Sequence, residues 1–334
     1  MFEIPVVLFL FKRKEPLLRI LNVLAAVKPS KLYLISDAGR NENEHLLVKN
    51  VRTTVENHIN WNCQIIKRYA EKNLGVYRSI GEGAKWVFEN EESAIFLEDD
   101  NLPEDTFFDF CKEMLVKYKD YENIIWVVGT NYLGEYLPPN GASYVFTKHM
   151  LPCGWASWAN KFNKSYDGQL KLLNKKSAKD LKKTFLDKKL YKQEVTKYFK
   201  TKYTLEKSIN LASWDAQMGF SIRHNDLYGI SPMYNQIENI GVDEFATHGV
   251  TSYNNNSATA EMTSRFCGIR TKPIEFPLKH PKDIEIDLDY EIKVSKIVLY
   301  PFLLRLKINL LTIIKPLFGI NKYESLKNKL KNRN

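Results

Sequence analysis

Cysteine is scarce. The 334 residues hold four: Cys63, Cys111, Cys153 and Cys267, widely separated and with no C-x-x-C pair. That excludes the common zinc spacings, and a chain of this length needs no disulfide framework. The four are expected to be reduced thiols of a cytosolic protein. Glycine is missing from Phe11-Lys12-Arg13-Lys14-Glu15-Pro16, directly after the first apolar run, which counts against a Gly-rich phosphate loop there. Basic residues follow that run rather than precede it, and no small-residue cleavage site is seen, so a buried first strand is expected instead of a signal peptide. A long uninterrupted apolar run is also lacking. The tail 296–318 is cut by Arg305, Lys307 and Lys315 and broken by Pro301 and Pro316, so it does not span a bilayer comfortably. Acid is in deficit: 49 Lys plus Arg against 39 Asp plus Glu give +10. Such a balance suits a nucleotide, a nucleic acid or an acidic membrane, or else marks a solvated Lys-rich surface.

What is present describes a folded α/β protein. Hydrophobic residues are 44% and aromatics 13%, far from a disordered composition. Apolar, β-rich runs at 5–11, 31–36, 63–69, 94–100 and 124–129 alternate with helical patterns near 15–27, 43–58, 76–90 and 105–119. That alternation predicts a mostly parallel sheet with helices on both faces. Ligands of such sheets sit at the carboxyl ends of the strands. Polar residues fall at those ends: Lys12-Arg13, Asp37, Glu98-Asp99-Asp100 and Asn131.

The expected organisation is a catalytic domain over 1–250, with a Lys-rich helical insertion at 165–210 and a C-terminal extension over 251–334. The end of that extension, 296–334, reads as an amphipathic basic tail. It suits an interfacial helix on an anionic leaflet, or a helix that packs on the domain or a partner subunit.

Leu97-Glu98-Asp99-Asp100 carries the strongest chemical signal. A buried strand delivers three carboxylates to its own end, and their mutual repulsion favours a divalent cation with hard oxygen ligands. A helix cap at Asp100 or Asn101 is the plainer use of the same acids. Together with PVVLFLFKR (5–13), LISDAG (34–39), NLGVYRSIGEGAKWVFE (73–89), LPCGWASWANKF (151–162), SWDAQ (213–217) and ENIGVDEFATH (238–248), the triplet resembles a GT-A-fold nucleotide-sugar glycosyltransferase. The similarity is to bacterial sugar transferases related to family 2 and to the N-acetylglucosaminyltransferase I group. The motifs keep their order over about three quarters of the chain.

The resemblance implies a GT-A, Rossmann-like fold and an inverting transfer from a UDP-sugar to a glycan or lipid-linked acceptor in surface polysaccharide synthesis. It implies Mn2+ or Mg2+ as cofactor and a cytoplasmic place, peripheral on the inner membrane face. It gives Asp100 as metal ligand, with Glu98 and Asp99 at the ribose, the sugar or metal-bound waters. Asp37 would meet the base, Arg13 the base or phosphates, and Arg78 would clamp phosphate. Asp215 would be the general base and His248 a metal ligand or diphosphate donor. Gly154, Trp155 and Trp214 would wall the acceptor or donor sugar, whereas Trp158 is read as core. A sugar-nucleotide nucleotidyltransferase is disfavoured by the missing glycine loop. A non-enzymatic basic module, binding nucleic acid or anionic membrane, is the alternative, and it gives the acid triplet no role.

Overall fold

The computed structural model describes residues 1–207, 213–242 and 258–324. The first half alternates as expected. β1 (Val6–Leu10), α1 (Lys14–Val27), β2 (Lys31–Ser36), α2 (Glu42–His58) and β3 (Gln64–Tyr69) come first. A π-helical turn (Tyr77–Glu82) then runs into α3 (Gly83–Val87), followed by β4 (Ser93–Glu98), β5 (Asn101–Pro103) and α4 (Thr106–Lys117). Next are β6 (Ile124–Val128), β7 (Tyr144–Thr147), β8 (Trp155–Trp158), α5 (Ala159–Ser165), α6 (Lys175–Asp180) and α7 (Lys188–Glu206). The chain continues through α8 (Asp215–His224), β9 (Tyr228–Pro232), β10 (Ile237–Asn239), α9 (Ala258–Phe266), α10 (Leu288–Val298) and α11 (Phe302–Leu317).

Eight strands form one sheet in the order β3-β2-β1-β4-β8-β6-β9-β7. The pairs β3-β2, β2-β1, β1-β4 and β6-β9 are parallel, while β8 runs antiparallel between β4 and β6 and β7 is an antiparallel edge. This is the α/β, mostly parallel, helix-flanked architecture expected from the alternation. β1 and β2 are apolar on both faces because both faces are covered. Val6, Leu8, Leu32 and Leu34 meet α1, α2 and α4; Val7, Phe9, Tyr33 and Ile35 meet the Tyr77–Val87 helix and an aromatic group around Trp126 and Trp155. The Lys-rich segment has a core of its own, with Leu181, Leu190 and Tyr198 packed on Ala216 and Phe220 of α8.

Successive strands are added on one side from β1 to β3 and on the other from β4 onward. The gap between the ends of β1 and β4 is therefore the topological switch point, where such sheets open a crevice. A second, two-stranded sheet of β5 and β10 sits beside it. All four cysteines are free thiols.

Candidate functional site

β4 pairs with β1 in the register Phe9↔Glu98, so Phe11 to Arg13 leave the sheet beside Glu98 to Asp100. Asp99 Oδ2 accepts the Phe11 N–H at 3.0 Å. Arg13 Nη1 lies 2.5 Å from Asp100 Oδ2 and 3.6 Å from Asp99 Oδ1, and its Nη2 donates to the Gly241 carbonyl at 3.3 Å. Asn101 Nδ2 donates to Asp100 Oδ1 at 2.8 Å while its Oδ1 accepts the Gly154 N–H at 2.9 Å. The turn after β10 closes over the cluster. Ile240 N donates to the Asp100 carbonyl at 2.9 Å, and a Cβ on Gly241 would lie 2.2 Å from Asp100 Oδ2. Only glycine lets the backbone come that near.

The electrostatics are those of crowded acid. Burial first, and then the charges of Asp100 and Asp99, hold the Glu98 carboxyl well above the usual carboxylate range. Burial and Asp100 likewise push Asp99 up to about 7 against the pull of Arg13. Asp215 also contributes to the rise at Glu98, so the switch-point acids and the start of α8 feel one another. Oxygen donors in excess of local positive charge suit a hard divalent ion. Among the described residues, however, no three His, Cys, Asp or Glu side chains are grouped to hold a metal. Among the described residues, these acids fit an ion that takes its remaining ligands from elsewhere.

Asp37 is placed otherwise than the base contact implied by the resemblance. Its Oδ1 accepts the N–H groups of Ala38 and Leu74, both at 2.8 Å, and its Oδ2 accepts Gly75 N at 2.9 Å and Asn73 Nδ2 at 3.1 Å. A carboxylate offers about four acceptor sites, and these four donors use them. Asp37 ties the end of β2 to the 73–75 turn and has no lone pair left for a nucleobase. Asn131 is likewise internal, donating to the Pro232 and Met233 carbonyls and accepting Leu133 N–H. Lys12 pairs with Glu44 at 2.8 Å.

The expected sugar wall also needs correction. Trp155 is 1% exposed and sandwiched, its ring stacked on Phe96 at 3.9 Å and on Trp126 at 4.2 Å. Both faces are covered, so it holds the sheet together and offers no platform. Trp214 is buried beside the same rings. Gly154, at φ +59, is required by close approach: a Cβ there would meet Ile237 at 2.4 Å. Trp158 is core, with its indole N–H on the Leu115 carbonyl.

Asp215 opens α8. Its Oδ2 lies 2.6 Å from Lys197 Nζ of α7, and its Oδ1 accepts the Ser213 hydroxyl. Burial alone would raise its pKa, but Lys197 and then Ser213 outweigh that and hold it at about 2. Arg78 is exposed on the π-helical turn and makes no ion pair among the described residues. His248 lies outside the described residues. Gly241 and Lys197 were not singled out in the sequence, and Asn101 was named only as a possible helix cap. Lys197 is one lysine among many and carried no signal.

A shallow surface groove of about 580 Å³, lined by Asp109, Lys112, Glu113, Val116, Lys117, Phe276 and His280, shares no residue with this cluster. We place the site at the switch point, where the crowded acids are.

No family model matches the sequence, and no curated protein matches it. Solved structures do. A UDP-glucose pyrophosphorylase complexed with UDP-glucose is 12% identical, with 71% of this chain and 93% of that one covered and a TM-score of 0.34. The mannosyltransferase PcManGT from Pyrobaculum calidifontis, in complex with GDP-Man and Mn2+, is 8% identical over 66% of this chain and 68% of that one, at 0.34. A 4-diphosphocytidyl-2C-methyl-D-erythritol synthase from Anaerococcus prevotii is 11% identical over 49% and 77%, at 0.31. At these scores the likeness adds nothing to what the strand order gives directly.

Proposed function

We propose that the chain is a metal-dependent glycosyltransferase that seats a nucleotide-diphosphate sugar over the carboxyl ends of β1 and β4. The observation that carries this is the switch-point cluster: Glu98, Asp99 and Asp100 crowded at the strand end, with Arg13, between β1 and α1, turned onto Asp99 and Asp100. A divalent ion held by Asp100, with Asp99 behind it, would supply charge stabilisation for the leaving diphosphate. Arg13 stands where that ion's charge is needed. In the loaded site its guanidinium turns its planar fork to phosphate oxygens.

Asp215 is the proposed base. As the acceptor oxygen forms its bond to the anomeric carbon, the bond from that carbon to the diphosphate breaks and the nucleotide leaves with the electron pair. The acceptor's proton passes to Asp215 Oδ2. Asp215 is ionised throughout the neutral range, but it is a weak base while Lys197 holds it, so acceptor entry must displace the lysine. A UDP-sugar is the favoured donor, and a glycan or lipid-linked sugar the acceptor. A nucleotidyltransferase reading is disfavoured because residues 11–16 offer no glycine backbone to cradle a triphosphate.

The test is calorimetric binding of UDP, GDP, CMP and TDP with and without Mn2+, on wild type and Asp100→Ala. Metal-dependent binding of one nucleotide, lost in Asp100→Ala, supports the reading. Binding that survives both the substitution and a chelator removes the metal from it. No binding of any nucleotide leaves the basic module as the better account, to be tested by the salt dependence of nucleic-acid binding.

A further inference from the structure

α11 is apolar on two sides and uses only one of them. Leu304, Ile308 and Leu311 are half-buried toward the protein, and no residue of the helix is fully buried. On the outer side Leu303, Leu306, Leu310, Ile313 and Leu317 are 74%, 44%, 49%, 67% and 78% exposed. Their spacing of three and four residues makes one continuous stripe along a helix ~24 Å long. Soluble surfaces seldom leave such a stripe bare without a use for it.

The charge around the stripe is mostly positive. α11 contains no acid and carries Arg305, Lys307 and Lys315. Its neighbour α7 has six lysines and two glutamates. α7 meets the segments that flank α11: Gln193 accepts Tyr300 N–H at 2.8 Å and donates to the Val298 carbonyl at 3.0 Å before it, and Phe199 stacks on Tyr323 after it. Burial, and then the nearby Lys200, lower the pKa of Lys315, with Glu324 opposing them. Beyond Glu324 the sequence adds Lys327, Lys329, Lys331 and Arg333 and no further acid.

We propose that α11 lies flat in the headgroup region of an anionic bilayer, its outer stripe among the acyl chains and the lysines of α7 and α11 on the lipid phosphates. No single helix among the described residues is long and apolar enough to cross a membrane, and α11 is bent 70° away from α10 at Pro301, which suits lying on a surface over spanning it. A second copy docked face to face would set Lys307 and the α7 lysines against like charge. An anionic bilayer satisfies both halves of the surface. This reading does not depend on the nucleotide site and is tested without it.

The experiment is flotation of the full chain with phosphatidylcholine vesicles, with and without phosphatidylserine, beside light scattering of the free protein. Binding is expected to vesicles containing phosphatidylserine, weakened by salt. Replacing Leu303, Leu310, Ile313 and Leu317 by serine should reduce binding by about tenfold or more with an unchanged melting temperature, since all four are exposed. Lys200→Glu with Lys307→Glu should weaken binding only where phosphatidylserine is present. Equal binding by the serine variant overturns the proposal. So does a wild-type dimer that the serine changes dissociate and that ignores vesicles.

Discussion

At the scale of single residues, one kind of side chain does opposite work at three strand or helix ends. Asp37 has all its acceptor capacity used by four N–H donors and is a structural clamp. Asp37→Ala should therefore cost about 1–3 kcal/mol in urea unfolding by orphaning the Leu74 and Gly75 N–H groups. Unchanged stability, with nucleotide binding lost, would return Asp37 to the ligand. Asp99, with fewer donors and a neighbouring carboxylate, is pushed up to about 7. Asp215 is pulled to about 2 chiefly by Lys197. Removing that charge in Lys197→Met should let burial raise the Asp215 pKa. Relative to wild type, the variant's rate should begin to fall at a higher pH on the acid side. Identical pH profiles would sever Asp215 from the proton transfer.

At the scale of elements, α10 is fastened by a buried polar knot. Glu291 accepts the Thr147 hydroxyl at 2.6 Å and the Lys148 N–H, and lies 3.2 Å from His149 Nε2 and 3.8 Å from Arg223 Nη2. Burial keeps His149 neutral by lowering its pKa. Burial would raise the Glu291 carboxyl, but His149, Arg223 and the two donors together hold it below its ordinary value. Glu291→Ala strands Arg223 without its counter-charge, and breaking such a buried pair costs about 3–5 kcal/mol. Faster amide exchange in α10, with the strands β1 to β4 unaffected, is the expected sign. Uniform exchange would show that the knot is not local. None of this was legible in the sequence. The pairing of Glu291 with groups 68 to 144 positions away leaves no local pattern.

At the scale of the whole molecule, acid stability follows from carboxylates held below their ordinary range. Arg40 donates to Glu44, which outweighs the burial that would raise it, and Lys12 adds to the effect, so the Glu44 pKa is about 2. Its folded value lies below the unfolded one, so this stability is full above about pH 4.5 and is lost as pH falls toward 2. Solvent screening of the half-exposed Arg40 keeps the amount to about 1 kcal/mol. Asp215 acts in the same sense. Thermal melting should rise from neutrality toward about pH 5, as Asp99 and Glu98 take up the protons their raised pKa values favour, and fall below that as Glu44 and Asp215 are neutralised; Glu44→Gln should flatten that fall. A fall of equal size in the variant would place the effect elsewhere. The parallel strands and their helices were set by the sequence alone, because a strand covered on both faces must be apolar at every position and a helix must repeat near 3.6 residues. Those periods are local. The acids at the end of β4 were visible for the same reason, since the strand that carries them is contiguous. What lay beyond reach was every relation across the chain. The insertion of β8 between β4 and β6, the four donors that use up Asp37, the rings closing both faces of Trp155, and the choice of Lys197 among many lysines to face Asp215 are all of this kind. Each is a pairing of surfaces far apart in sequence, fixed by packing, and only the folded chain brings those surfaces into contact.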